Sequence, residues 1–236
     1  PARRIRKPVP AVQEKGSASP AAASFPIIGI GASAGGFEVL EQFLAHVPAE
    51  CGMAFVIVLH LDPTRKGLMP ELLQRGTLMK VVQVKDRTRV RPDCVYVIPP
   101  NKDMSILHGV LHLFEPSEKR GQRLPIDFFL RSLALDRQQK AIGVVLSGMG
   151  SDGTPGLCAI KEKGGLVVAQ EPSAAKFDSM PRSVIDAGLA DIVAPADELP
   201  GRIIAYLQRV PHEAISETSV DSVTRGALEK ILILLR

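Results

Sequence analysis

From Phe25 onward, short continuous apolar runs alternate with stretches whose apolar residues recur every three or four positions. The first kind reads as strands buried on both faces, the second as amphipathic helices. Residues 26–31 (Pro-Ile-Ile-Gly-Ile-Gly) predict a buried strand ending in glycines. Residues 36–47, with Phe37, Leu40, Phe43, Leu44 and Val47 on a helical period, predict a helix. A second buried strand is expected over 53–61 and a short helix over 67–75. Short strands are expected over 81–84, 95–98, 105–107 and 110–114, the last two joined by a His108-Gly109 hairpin turn. The pattern then predicts a helix over 125–137, a strand over 141–146, a loop over 147–154, and a helix over 156–163 that stops at Gly164-Gly165. A strand over 166–169, a helix over 181–187, a strand over 191–193 and a helix over 198–208 complete the series.

Strands alternating with helices predict a doubly wound, mainly parallel α/β sheet with helices on both faces. The hairpin stretch around 81–114 is expected to add an antiparallel edge. Residues 1–24 are rich in Pro, Ala, Ser and charge and are expected to be a disordered leader. The folded part is expected over 25–209, a polar linker over 210–225, and a new amphipathic helix, the start of a following domain, over 226–236. The sequence starts at Pro1 rather than Met, so a fragment of a longer chain is expected.

Composition narrows the function. Of 236 residues, 45% are hydrophobic and 23% charged, an ordinary globular balance. No apolar run approaches the roughly 20 residues of a spanning helix, and no apolar segment follows the basic start as a signal peptide requires. The net charge of +4 sits in the leader, where Arg3, Arg4, Arg6, Lys7 and Lys15 face only Glu14. The rest is neutral, and with no Trp and two Tyr there is little to stack bases on, which argues against a nucleic-acid binder. Cys51, Cys94 and Cys158 are far apart, which argues against a zinc site or disulfide framework and fits a reducing cytosol.

Ligands of an open parallel sheet bind beyond the carboxyl ends of its strands. Three segments stand there: Gly31-Ala32-Ser33-Ala34-Gly35-Gly36, Leu59-His60-Leu61-Asp62 and Ser147-Gly148-Met149-Gly150-Ser151-Asp152-Gly153. They bring a Ser, a His and an Asp to one rim. A serine hydroxyl becomes a nucleophile when imidazole removes its proton, and a carboxylate orients that imidazole. The glycines around Asp152 let backbone amides point into a cavity, as an oxyanion hole requires. Each residue also has a plainer reading. Ser33 can be a helix N-cap, His60 a hydrogen-bonded core residue, and Asp152 a turn or cap residue. Residues 29–34 also match a dinucleotide-binding fingerprint, with Asp62 ending the next strand. Asp178, before the helix at 181, is a second candidate carboxylate. His46, His108, His112 and His212 lie away from this rim. A dinucleotide-binding module and a non-catalytic signalling scaffold therefore stand beside the hydrolase.

Gly29-Ile30-Gly31-Ala32-Ser33-Ala34-Gly35-Gly36, Val58-Leu59-His60-Leu61-Asp62-Pro63 and Leu146-Ser147-Gly148-Met149-Gly150-Ser151-Asp152-Gly153 resemble the three active-site segments of the chemotaxis protein-glutamate methylesterase (CheB) catalytic domain family. Val95-Tyr96-Val97-Ile98-Pro99-Pro100, Ala169-Gln170-Glu171-Pro172 and Ser179-Met180-Pro181-Arg182 add to the likeness, which runs over about 25–209. The resemblance implies a cytoplasmic serine hydrolase that needs no cofactor or metal. It would remove methyl groups, as methanol, from methylated glutamates on chemoreceptor cytoplasmic helices, and deamidate receptor glutamines. It makes Ser33 the nucleophile, His60 the base and Asp152 its orienter. It gives the oxyanion hole to the amides of Ala34 and Met149, and places Met180 and Arg182 near the substrate. Two departures stand out: residues 1–24 are too short for the receiver domain common in the family, and Ala34 stands where some members carry Thr. Residues 226–236 are similar to the opening helix of the receptor methyltransferase (CheR) family, which implies an esterase–methyltransferase fusion.

Overall fold

A strand that is apolar on both sides must lie between two layers of cover. The computed structural model, which describes residues 25–59, 69–116 and 123–209, shows how these strands obtain it. The leader, the linker and the terminal helix expected from sequence lie outside the described residues. Within them the chain runs β1 (Ile27–Ala32), α1 (Gly36–Ala45), β2 (Ala54–Leu59), α2 (Met69–Gln74), β3 (Lys80–Gln83), β4 (Thr88–Arg89) and β5 (Cys94–Val97). It continues through β6 (Asp103–Leu107), β7 (Val110–Phe114), α3 (Pro125–Arg137), β8 (Ala141–Val145), α4 (Thr154–Glu162), β9 (Leu166–Gln170), α5 (Ser179–Asp186), β10 (Ile192–Ala194) and α6 (Leu199–Arg209).

Seven strands form a parallel sheet in the order β10-β9-β8-β1-β2-β5-β3. The central strand β1 pairs with β2 (Ile27 with Ala54, Ala32 with Leu59) and with β8 (Ile27 with Ala141, Gly31 with Val145). The order of winding reverses between β1 and β8, so a crevice opens beyond their carboxyl ends. Alternation along the strands divides the core in two. Ile28 and Ile30 of β1 and Phe55, Ile57 and Leu59 of β2 pack with α1, α2 and α6. Ile27, Val56 and Val58 face α3, α4 and α5. No helix among the described residues is long and apolar enough to cross a membrane.

The two glycines of β1 fall on the α3 side. A Cβ on Gly31 would sit 2.4 Å from Ile126 Cγ2, and one on Gly29 would sit 2.7 Å from Leu130 Cδ2. Helix α3 presents Ile126, Phe129, Leu130 and Leu133 along one stripe, and all four are buried. It therefore lies directly on the backbone of β1. Pro125 opens α3 at a position where a missing N–H costs nothing.

The antiparallel hairpin forms as expected. His108 (φ 50°) and Gly109 (φ 70°) both take positive φ at its two-residue turn, which matches the twist of the flanking strands. It sits in a separate three-stranded sheet, β4-β7-β6, packed on α3. There Ile106 N–H donates to Ser132 Oγ at 3.0 Å. Its upstream neighbours β3 and β5 instead extend the parallel sheet beyond β2. The crossover between them carries the two-residue β4 rather than a helix, so the apolar pattern held no sign of a parallel pair.

Adding one methyl group at Gly31 should lower the urea midpoint, by about 1–3 kcal/mol of stability. Equilibrium unfolding of Gly31→Ala measures it, and an unchanged midpoint would show that α3 is free to lift.

Candidate active site

At the end of β1 the chain leaves the sheet while its ladder to β8 continues. Leu146 N–H donates to Gly31 O at 2.9 Å, and Ser33 N–H donates to Ser147 O at 3.0 Å. Gly35 (φ 67°) then provides the left-handed residue that opens α1, and no side chain caps that helix. Ser33 is thus not the N-cap. It stands two residues earlier and half-buried, and its carbonyl accepts Gly36 N–H at 3.0 Å. The fingerprint glycines Gly29 and Gly31 serve the close approach of α3 described above, so the likeness to a dinucleotide loop has a packing origin.

The loop after β8 lies against this turn. A Cβ on Gly148 would fall 2.1 Å from Met180 Sδ and 3.0 Å from Ser33 Cβ, so only glycine fits there. Gly148 N–H donates to Phe177 O (2.9 Å), and Met180 N–H donates to Gly148 O (3.1 Å). Ser147 N–H donates to the buried Gln170 at Oε1 (2.8 Å), whose Nε2 donates to Ala174 O (3.0 Å). Neither the Ala34 amide nor the Met149 amide donates to an acceptor among the described residues. The Met149 side chain is exposed.

Asp152 is 5% exposed. Its Oδ2 accepts Ile126 N–H (3.2 Å) and its Oδ1 accepts Asp127 N–H (3.0 Å), so it caps α3 rather than its own helix. Asp127 answers in kind, its Oδ1 accepting Gly153 N–H (3.1 Å) and Gly156 N–H (2.7 Å) at the start of α4. Each carboxylate thus sits on the positive end of the other's helix. Burial pushes the Asp152 pKa up to about 7, and the Asp127 charge adds to the rise while the amides of Asp127 and Ile126 oppose it. Burial also raises Asp127, against the amides of Gly156 and Gly153 and the charge of Arg131. An ionised carboxylate offers about four acceptor positions, so two amides leave Asp152 room for a further donor.

Of the other residues named from sequence, Met180 is fully buried beneath Gly148. Arg182 is exposed and pairs with Asp178, its Nη2 donating to Oδ2 at 2.6 Å. That hydrogen bond holds the Asp178 carboxyl below the usual range. Asp178 precedes α5 but makes no side-chain cap. His60 and Asp62 lie outside the described residues. No three His, Cys, Asp or Glu side chains gather as a metal site among the described residues.

The match to known proteins covers this whole arrangement. The family model for CheB methylesterase fits residues 28–203. The chain belongs to the CheB methylesterase family. A putative protein-glutamate methylesterase/protein-glutamine glutaminase of Leptospira interrogans is 33% identical over 177 residues, 75% of this chain and 92% of that protein. An uncharacterized 104.1 kDa protein of Rhodobacter capsulatus is 42% identical over 143 residues, 61% of this chain but only 15% of that protein. The crystal structure of the Thermotoga maritima CheB methylesterase catalytic domain superposes with a TM-score of 0.72 at 32% identity, covering 78% of this chain and 99% of that one.

Within this CheB methylesterase domain, sequence reasoning passed over Asp127, Ser147 and Gln170 as individuals. Ser147 and Gln170 stood inside the quoted motifs. Asp127 was hidden, because an acidic residue in the first turn of a helix is common for dipole reasons alone.

The raised Asp152 pKa has a definite sign for stability. Between about pH 4 and 7 the folded protein binds a proton at Asp152 that the unfolded chain has lost. Stability therefore falls as pH rises through that window, with a slope approaching about 1.4 kcal/mol per pH unit. Asp152→Asn should remove this share of the slope in urea titrations from pH 4.5 to 8. A wild-type-minus-variant difference that stays constant across the window would exclude a raised pKa.

Proposed function

We propose that this chain hydrolyses glutamate methyl esters by acyl transfer through Ser33, His60 and Asp152. The observation that carries the reading is the convergence at the β1/β8 switch point. There the half-buried Ser33 is pressed against the Gly148 loop, and that same loop carries the Met149 amide and the buried Asp152 carboxylate.

In the proposed mechanism Ser33 Oγ attacks the ester carbonyl while His60, which directly follows β2, takes its proton. Asp152, held by the first amides of α3, orients the imidazole and stabilises its cation. The amides of Ala34 and Met149 receive the oxyanion. His60 returns the proton to the departing methoxide, and methanol leaves. Water then attacks the acyl-enzyme with His60 again as base, and glutamate and free Ser33 are restored. With a glutamine side chain the same steps release ammonia. Met180 supports the floor of the loop, and the exposed Arg182, paired to Asp178, is proposed as a substrate contact.

The substrate proposed is the methylated cytoplasmic helices of a chemoreceptor, reached in the cytoplasm. The three free cysteines fit that compartment. A methyltransferase domain is proposed as a covalent neighbour. The similarity to a segment forming only 15% of a 104.1 kDa protein supports a module that works inside long chains.

Ser33→Ala should abolish methanol release from a methylated receptor fragment while leaving the unfolding curve near that of wild type. Asp152→Asn should lower kcat by on the order of 10⁴-fold. Turnover retained by Ser33→Ala would refute the nucleophile. A fluorophosphonate probe that leaves wild-type Ser33 unlabelled would favour the scaffold reading.

A further inference from the structure

The side chain that joins most of the proposed site is one that no step of the mechanism uses. Ser147 is fully buried at the end of β8. Its hydroxyl proton is shared between Ala34 O at 3.0 Å and the more distant Phe177 O at 3.3 Å, and its oxygen accepts Phe177 N–H at 3.0 Å. Its carbonyl accepts Ser33 N–H at 3.0 Å, and its amide is held by Gln170 at 2.8 Å. One residue thus ties together the nucleophile turn, the loop carrying Met149, and the segment that leads into α5.

Beyond the ladder bond at Ser33 N–H, the turn bond from Gly36 N–H to Ser33 O and the bonds between Gly148 and the 177–180 segment, these three segments are irregular backbone outside any strand or helix. Two amides that must aim at one oxygen need orientations held to about 10–20°. The peptide whose carbonyl Ser147 grips joins Ala34 to Gly35, and it shares the Ala34 Cα with the peptide that carries the Ala34 amide. Gly35, at φ 67°, cannot resist rotation as a residue with a side chain would. A Cβ there would meet Phe177 Cδ2 at 3.1 Å and both Lys176 Cβ and Ser147 Oγ at 3.2 Å, so the hydroxyl is one of three groups packed against the turn.

We propose that Ser147 is the positioning residue of the oxyanion hole: its buried hydroxyl sets the Ala34 amide against the Met149 amide without touching substrate. The inference rests on the serine-hydrolase reading above. An oxyanion forms only on the way to the transition state, so loss of this hydroxyl acts on kcat and leaves substrate binding alone. A hydroxyl that merely stabilised the loop would change the unfolding midpoint and not the rate per folded molecule.

The test compares Ser147→Ala and Ser147→Thr with wild type in methanol release from a methylated receptor fragment, with kcat and KM measured separately. The expected result for Ser147→Ala is a kcat lower by about 10- to 100-fold with KM within about twofold. Ser147→Thr, which keeps the hydroxyl, should stay within about threefold of the wild-type kcat. A Ser147→Ala kcat within twofold of wild type, a change confined to KM, or a Thr variant as slow as the Ala variant overturns the proposal. If Ser147→Ala does not fold, Ser147→Cys keeps a side chain there but weakens both hydrogen bonds, and a wild-type kcat in that variant is equally fatal. If the receptor fragment is not turned over, the labelling rate of Ser33 by a fluorophosphonate, which develops a comparable oxyanion, takes the place of kcat. Ser33→Ala run alongside separates the two readings. Its continued turnover refutes the nucleophile, whereas a dead Ser33→Ala beside a wild-type Ser147→Ala refutes only the positioning role.

Discussion

The pairing of β1 with β8 does not stop where the strands stop. Two further backbone hydrogen bonds, Leu146 to Gly31 and Ser33 to Ser147, carry the parallel ladder into the loops. Everything at the crevice inherits its position from that extension. A loop leaving a sheet is normally free to swing. Here the first residue after β1 is bonded to the loop after β8, and the first residue after β8 is bonded back to β1, so the serine turn and the glycine loop leave the sheet together. Gly148 completes the contact by bringing bare backbone against Ser33 Cβ.

A second constraint acts beside the first. Asp152 and Asp127 exchange amide contacts across the starts of α3 and α4, and the same α3 rests on the glycines of β1. The carboxylate side of the crevice is thereby referenced to the strand that delivers the serine. Two buried acids with no cation bonded to either among the described residues are costly. The helix amides compensate part of that cost, and the raised pKa values of both groups record the remainder. A buried carboxylate that readily takes up a proton is an expensive structural cap but a well-placed partner for a donor at the crevice.

Much of this could be read in the amino-acid sequence, for physical reasons. The doubly buried strands announce themselves as runs such as residues 54–59, and α3 as the stripe of Ile126, Phe129, Leu130 and Leu133. His108-Gly109 marks its turn because few residue pairs accept two positive φ values. The sheet membership of β3 and β5 was not legible, since their crossover lacks the helix that usually signals parallel pairing. The glycines of β1 carried two meanings, phosphate approach or helix approach, and only the position of α3 decides between them. Ser147 and Asp127 were illegible as individuals because their roles consist of contacts more than 100 and more than 20 residues away along the chain. No local period encodes such contacts.

The order of the parallel sheet also bears on how the protein behaves in a crowded cell. Its two outermost strands, β3 and β10, are four and three residues long, and β3 begins with the exposed Lys80. The long, wholly apolar strands all lie inside, between hydrogen-bonding partners. Another copy of the chain therefore meets only a brief template at either border, opened by a lysine at β3 and apolar at β10. The strands most able to seed an intermolecular ladder are open only before the sheet has formed, so resistance to aggregation depends on the centre of the sheet assembling early.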